Sequence, residues 1–173
     1  RARALGPALA VGAGDAALDR APAHVGPRAR APDVRRVHAY SGGFARRGTH
    51  NWRVQAANGL AAVFLACGQD VAYVGESAQG FLELEVTPEG ELLASAHLPA
   101  LLVGTVGGGS AQGTAAECLE LLGVRGEGGA DLLAEVLAAT VLAGDLSLMA
   151  SFCAHEFVAA HERLGRNRPG AAP

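Results

Sequence analysis

From Val54 to Gly75 the chain carries a single charge, Asp70. Elements that face water on all sides are rich in charge. A stretch this poor in it must be buried over much of its length, and the fold has to be assembled around it. The run Gly59-Leu-Ala-Ala-Val-Phe-Leu-Ala-Cys-Gly-Gln-Asp70 ends on that acid. A carboxylate delivered by a buried element into a glycine-flanked turn is a candidate catalytic group, and a solvated turn carboxylate satisfies the same pattern.

There is enough apolar material around it. Of the 173 residues 50% are hydrophobic, sufficient for one domain with a real core. The net charge of −3 is unevenly spread: residues 1–36 hold seven Arg against Asp15, Asp19 and Asp33, and the remainder holds seven Arg against 14 acids. Every basic residue is Arg, so the chain contains no lysine. Residues 1–36 also contain 11 Ala, four Gly and four Pro, a composition with little to pack. Segment 1–40 is therefore expected to be poorly packed or divergent, and 41–173 to hold the folded part. Without interleaved aromatics, the N-terminal arginines do not make an arm for nucleic acid.

Cys67, Cys118 and Cys153 lie in apolar, helix-like contexts with no CxxC spacing, which points to reduced thiols in a cytoplasmic protein. Gly6, Pro7, Gly12, Gly14 and Asp15 interrupt any apolar signal-peptide core. The uncharged stretch Leu92 to Ala116 is long enough to cross a bilayer, but Pro99 and five glycines argue against a membrane helix, so no membrane is expected. The chain starts at Arg1 without a Met, as a piece of a longer protein would.

Periodicity appears beyond Ser41-Gly42-Gly43. Val54 to Cys67 reads as a buried helix stopped by Gly68. Phe81-Leu-Glu-Leu-Glu-Val86 alternates with period two, Thr87-Pro88-Glu89-Gly90 makes a turn, and Glu91 to His97 returns as a β-hairpin. Thr114 to Leu122 is a short amphipathic helix ended by Gly123, followed by a glycine-rich loop through Gly129. Asp131 to Ala143 and Leu146 to Leu164 read as two helices, with Gly144-Asp145 as break and cap. Helices packed with a hairpin make the class α+β.

Beside Asp70, three features can carry chemistry. Gly104-Thr105-Val106-Gly107-Gly108-Gly109-Ser110 follows the apolar Leu101-Leu102-Val103 and precedes a helix. Its backbone N–H groups could approach a phosphate or carboxylate, helped by the helix dipole. It lacks the Gly-Lys-Ser/Thr and G-x-G-x-x-G patterns, and by itself a glycine-rich turn is more often structural. His161 has Glu162 and Arg163 beside it near a helix C-terminus, a setting that favours the imidazolium and suits a general acid; a solvated helix-end histidine fits too. His155 lies about 600° of helical rotation away, on another face, so the two make no zinc pair. Asn58 with Gln55 forms the last candidate. On a straight helix Asn58 would sit roughly 18 Å from Asp70, so sharing one pocket needs a bend or a second subunit.

Taken together, Gln55-Ala-Ala-Asn58, Ala66-Cys67-Gly68-Gln69-Asp70, Gly104 to Ser110, Leu142-Ala-Gly-Asp-Leu-Ser-Leu-Met-Ala150 and His161 resemble the C-terminal part of the catalytic domain of the 3-hydroxy-3-methylglutaryl-coenzyme A reductase family. The resemblance covers roughly Ser41 to Asn167 and rests on the order and spacing of five blocks. It implies a fragment of a larger reductase catalytic domain and a prokaryotic-style enzyme of the mevalonate pathway of isoprenoid biosynthesis. Such an oxidoreductase takes hydroxymethylglutaryl-CoA to mevalonate and free CoA with two hydrides from NADPH or NADH.

By the resemblance, Asp70 belongs to a network with a lysine and a glutamate that stabilises the developing oxyanion and supplies protons. His161 protonates the departing thiolate, Asn58 and Gln55 contact substrate, and Gly104, Thr105, Val106, Gly107, Gly108, Gly109 and Ser110 hold the cofactor. Sites in the family lie between subunits, which implies a homodimer or higher homo-oligomer. The departures are specific. No lysine is present, Arg53 cannot cycle a proton, and Gln55 stands where many members have histidine. Trp52 follows Thr49-His50-Asn51 where one branch has a lysine. The alternative implied is a truncated, catalytically silent remnant that only folds, self-associates or binds nucleotide.

Overall fold

The computed structural model describes residues 23–25, 46, 53–88 and 92–164. In chain order they form strand β1 (Ala23–Val25), helix α1 (Ala56–Ala66), a 3-10 turn (Val71–Tyr73) running into the short helix α2 (Val74–Ser77), and strands β2 (Phe81–Val86) and β3 (Leu92–His97). A second 3-10 turn (Gly108–Ala111) and helices α3 (Gly113–Leu121), α4 (Gly129–Cys153) and α5 (Glu156–Leu164) follow. The class is α+β, as the sequence implies.

The uncharged run forms α1. Leu60 and Phe64, one helical turn apart, are both fully buried, and Ala56 is buried on the same side. Gly68 ends the segment at φ +63°, a left-handed conformation that glycine adopts without strain. In the hairpin, Phe81 pairs with His97 and Val86 with Leu92. Alternation sends Leu84, Ala94 and Ala96 inward and leaves Phe81, Glu83 and Glu85 exposed. Positions 89 and 90 of the expected turn, and 91 at the start of the expected return strand, lie outside the described residues. Helix α3 falls within a residue of the expected Thr114–Leu122.

β1 completes a three-stranded sheet of order β1-β3-β2, with Ala23 opposite Ala94. It comes from the Ala/Arg/Gly/Pro-rich segment. Three residues are too few for a period to show, so composition gave no sign of the strand. The remainder of 1–40, Ser41 to Phe44, and Thr49 to Trp52 lie outside the described residues.

The last third corrects the sequence reading. Gly144-Asp145 is not a break: α4 runs without interruption from Gly129 to Cys153. Gly144 is instead a point of close approach, where a Cβ would meet the end of the Gln55 side chain. Asp145 caps nothing, because its carboxylate leaves the helix to meet Arg53. The break falls at Ala154-His155, with His155 at φ +59°, and α5 begins there.

By length and composition α4 could cross a bilayer. In this fold Leu133, Leu137 and Val141 pack with Leu60 and Phe64 of α1, while Leu142 and Met149 pack with Leu84, Ala94 and Ala96 of the sheet. One helix thus joins two apolar clusters.

Candidate functional site

At the C-terminal end of α1, Gln69 reaches across to the glycine-rich loop. Its Nε2 donates to the Gly104 carbonyl at 2.8 Å, and its Oε1 accepts from the Gly104 N–H at 2.8 Å. The same Nε2 also donates to Cys67 O at 3.0 Å. One residue earlier, a Cβ on Gly68 would lie 2.5 Å from Gly109 O, so the turn and the loop meet backbone to backbone. Asp70 follows directly. It is exposed, and its Oδ1 accepts from Ala72 N at 2.9 Å, capping the 3-10 turn.

The loop is pinned at several points. Thr105 Oγ1 donates to Gly126 O at 2.5 Å, and Gly126 N donates back to Thr105 O at 3.3 Å. Ser110 is buried, and its hydroxyl donates to Gly107 O. Between these anchors Gly107 and Gly108 adopt φ of +77° and +54°, and nothing lies within 4 Å of where a Cβ would stand at Gly104, Gly107 or Gly108. Main chain held firmly, yet open on one side, can be approached closely by a ligand. The loop does not run straight into a helix as expected. A 3-10 turn intervenes, and Gln112 caps α3 without a side-chain hydrogen bond.

The N-terminal end of α1 holds a different cluster. Arg53 Nε donates to Asp145 Oδ2 at 2.8 Å, and Nη2 lies 2.7 Å from the same oxygen, with both side chains fully buried. Gln55 N donates to Asp145 Oδ1 at 3.1 Å, so both carboxylate oxygens are engaged. The Gln55 side chain lies against Gly59 and Gly144, its Oε1 buried without a hydrogen-bond partner. Asn58 is exposed on α1, with its backbone N–H bonded to Gln55 O at 2.9 Å. An eleven-residue helix is about 16 Å long, so Gln55 and Asn58 sit away from the Asp70 end. Within one chain they do not join it.

His161 is exposed on α5, which packs on α4. Its Nδ1 is 2.9 Å from Phe157 O, and its ring centroid is 4.2 Å from that of Phe157. Phe157 in turn lies 4.7 Å from Phe152. His155 sits in the break before α5, so a rotation counted along one helix does not apply to the two histidines. Among the described residues no three of His, Cys, Asp and Glu come together as a metal site. Cys67 is buried at the end of α1; burial, and secondarily the nearby Cys118, hold its thiol above the ordinary range.

The structure therefore joins the turn that precedes Asp70 to the loop Gly104 to Ser110, through Gln69 and Gly68, and leaves Gln55, Asn58 and His161 elsewhere. Sequence reasoning passed over Gln69 and the Arg53–Asp145 pair. Asp145 carried a signal of the same kind as Asp70, because it is the only charged residue between Glu135 and Glu156.

A family model described as hydroxymethylglutaryl-coenzyme A reductase matches residues 24–166, starting upstream of the Ser41 at which the sequence resemblance was drawn. The chain is 43% identical over 129 residues to the 3-hydroxy-3-methylglutaryl-coenzyme A reductase of Pyrococcus horikoshii, covering 72% of this chain and 31% of that protein. The corresponding protein of Aeropyrum pernix is 46% identical over 129 residues, covering 72% of this chain and 30% of the relative. That of Catharanthus roseus is 40% identical over 123 residues, covering 67% and 20%. The chain thus spans about a third or less of the length of these relatives. With a match over most of its length, joining the sheet, the Asp70 turn, the glycine loop and α5, the chain belongs to the hydroxymethylglutaryl-coenzyme A reductase family.

Proposed function

We propose that these residues are part of an enzyme that reduces hydroxymethylglutaryl-CoA to mevalonate and free CoA with two hydrides from NADPH or NADH. The observation that supports this reading best is the Gln69 clasp, two 2.8 Å bonds that tie the Asp70 turn to the loop. A proton-handling carboxylate and a ligand-binding main chain then hold a constant relation to each other. The open, positive-φ backbone at Gly107 and Gly108 fits a phosphate-bearing nicotinamide cofactor, with loop N–H groups as donors. When bound, that cofactor supplies hydride.

The chain's own groups do the rest of what falls to it. Asp70 exchanges protons at the carbonyl oxygen, as part of a network whose lysine and glutamate come from other sequence. His161 protonates the departing CoA thiolate. Gln55 and Asn58, remote from Asp70 within one chain, contact substrate across a homodimer or higher homo-oligomer. Thiols outside any disulfide accord with a cytoplasmic location, and Cys67, Cys118 and Cys153 form no disulfide among the described residues.

A second reading has its own support: these 173 residues alone are catalytically silent. The chain has no lysine, and Arg53, the basic residue just before the Gln55 block, is taken up by Asp145 in a buried pair. The test is loss of reduced-nicotinamide absorbance with hydroxymethylglutaryl-CoA, in the 173-residue chain and in the longest protein that contains it. Turnover in the longer protein, lowered about 10²- to 10⁴-fold by Asp70→Ala, supports the enzyme reading. No turnover there overturns it, while turnover by the 173 residues alone overturns the silent reading.

A further inference from the structure

Nδ1 of His161 faces the Phe157 carbonyl at 2.9 Å. A carbonyl oxygen only accepts, so the contact is a hydrogen bond only when Nδ1 carries the proton. The imidazole is held over that carbonyl by the Phe157 ring, with centroids 4.2 Å apart and planes tilted by 37°. Phe157 is itself braced by Phe152 at 4.7 Å, on the last turn of α4. A chain of three rings therefore runs from the core helix across the break at Ala154-His155 to an exposed histidine.

We infer that Phe157 is a positioning residue for His161, fixing the Nδ1–H tautomer so that Nε2 is the atom that gives up and takes back a proton. The inference rests on the reading of His161 as the proton donor to the leaving thiolate. In the imidazolium both nitrogens carry hydrogen. Nε2–H breaks, its proton forms the S–H bond of free CoA, and the N–H bonding pair stays on Nε2 as a lone pair. The neutral ring that remains is the Nδ1–H form, which the Phe157 carbonyl already holds. No change of tautomer or ring flip is then needed between turnovers. The aromatic ring contributes by limiting ring rotation, since the backbone carbonyl is present whatever residue stands at 157.

The test is long-range 1H–15N correlation on the 15N-histidine-labelled full chain at a pH where the imidazoles are neutral, with His161 assigned from His161→Asn. The expected spectrum shows Nδ1 protonated and Nε2 bare. Phe157→Leu keeps the carbonyl and much of the volume, and is expected to shift the tautomer ratio about fivefold towards Nε2–H. Phe157→Tyr restores the ratio, and circular dichroism checks that both variants retain their helices. An Nε2–H spectrum in the unaltered chain overturns the inference, as does an unchanged ratio in Phe157→Leu. Whether His161 protonates thiolate is read separately, from CoA release by His161→Gln in the longer protein. A fixed Nδ1–H tautomer with normal CoA release would overturn that role while leaving the positioning intact.

Discussion

Asp145 and Asp70 show how far a single residue can be read from sequence. Each is a lone acid in a long apolar run, and sequence alone assigns chemistry to Asp70 and a helix break to Asp145. In the fold Asp145 is the buried one, and its partner Arg53 lies 92 positions away. Pattern reading along the chain has no access to a pairing at that separation. The pair is costly to break from one side: Arg53→Ala leaves an uncompensated buried carboxylate and should lower unfolding free energy by about 3–5 kcal/mol in urea titrations. An Arg53→Met/Asp145→Leu double variant should recover most of that loss, because the desolvation cost of both charges disappears with them. Cys67 makes a second residue-scale prediction. Its folded thiol titrates above its unfolded value, so the associated stability is fully present below the unfolded thiol range, about pH 8.5, and is lost as pH rises through the folded value. Chemical denaturation across that interval should show the decline in the parent chain and not in Cys67→Ala.

At the scale of elements, what was legible is what local pattern determines. The hairpin, α1 and α3 each show a period over enough residues and a glycine or proline at the boundary. Helix α4 was misread because Gly144 and Asp145 look like punctuation. Both instead face the entry to α1: the glycine lies against the end of the Gln55 side chain, and the acid pairs with Arg53. Leu146→Pro discriminates between the two readings, since Leu146 would be the first residue of a new helix in one and an interior residue of α4 in the other. At the start of a helix proline would be tolerated; in the interior of α4 it should cost about 3 kcal/mol or more, measurable by thermal melting. The clasp between α1's final turn and the loop was also beyond the sequence, since an amide that bonds main chain leaves no spacing rule behind it. Gln69→Ala removes both bonds to Gly104 and should speed amide exchange across residues 104–110, with a stability loss of about 1–3 kcal/mol. Gly68→Ala should cost more than Gln69→Ala, combining a left-handed φ with a clash at Gly109.

For the molecule as a whole, α4 is the common member of two apolar clusters, one shared with α1 and one with the sheet. Loss of a large side chain there is felt across the fold. Leu137→Ala, at a fully buried position, should lower stability by about 2–5 kcal/mol, seen as a lower denaturant midpoint with an unchanged slope. The division of α4 from α5 at His155 works in the opposite sense. None of the residues of α5 is buried, so little apolar burial binds it to the core. Its opening therefore needs far less free energy than global unfolding, and its amides should exchange with solvent well before those of α4. The histidine assigned to proton transfer thus rides on a separate cooperative unit. The Phe152–Phe157 contact is what ties that segment to α4, so its opening would release His161 from its aromatic support while the core stays folded.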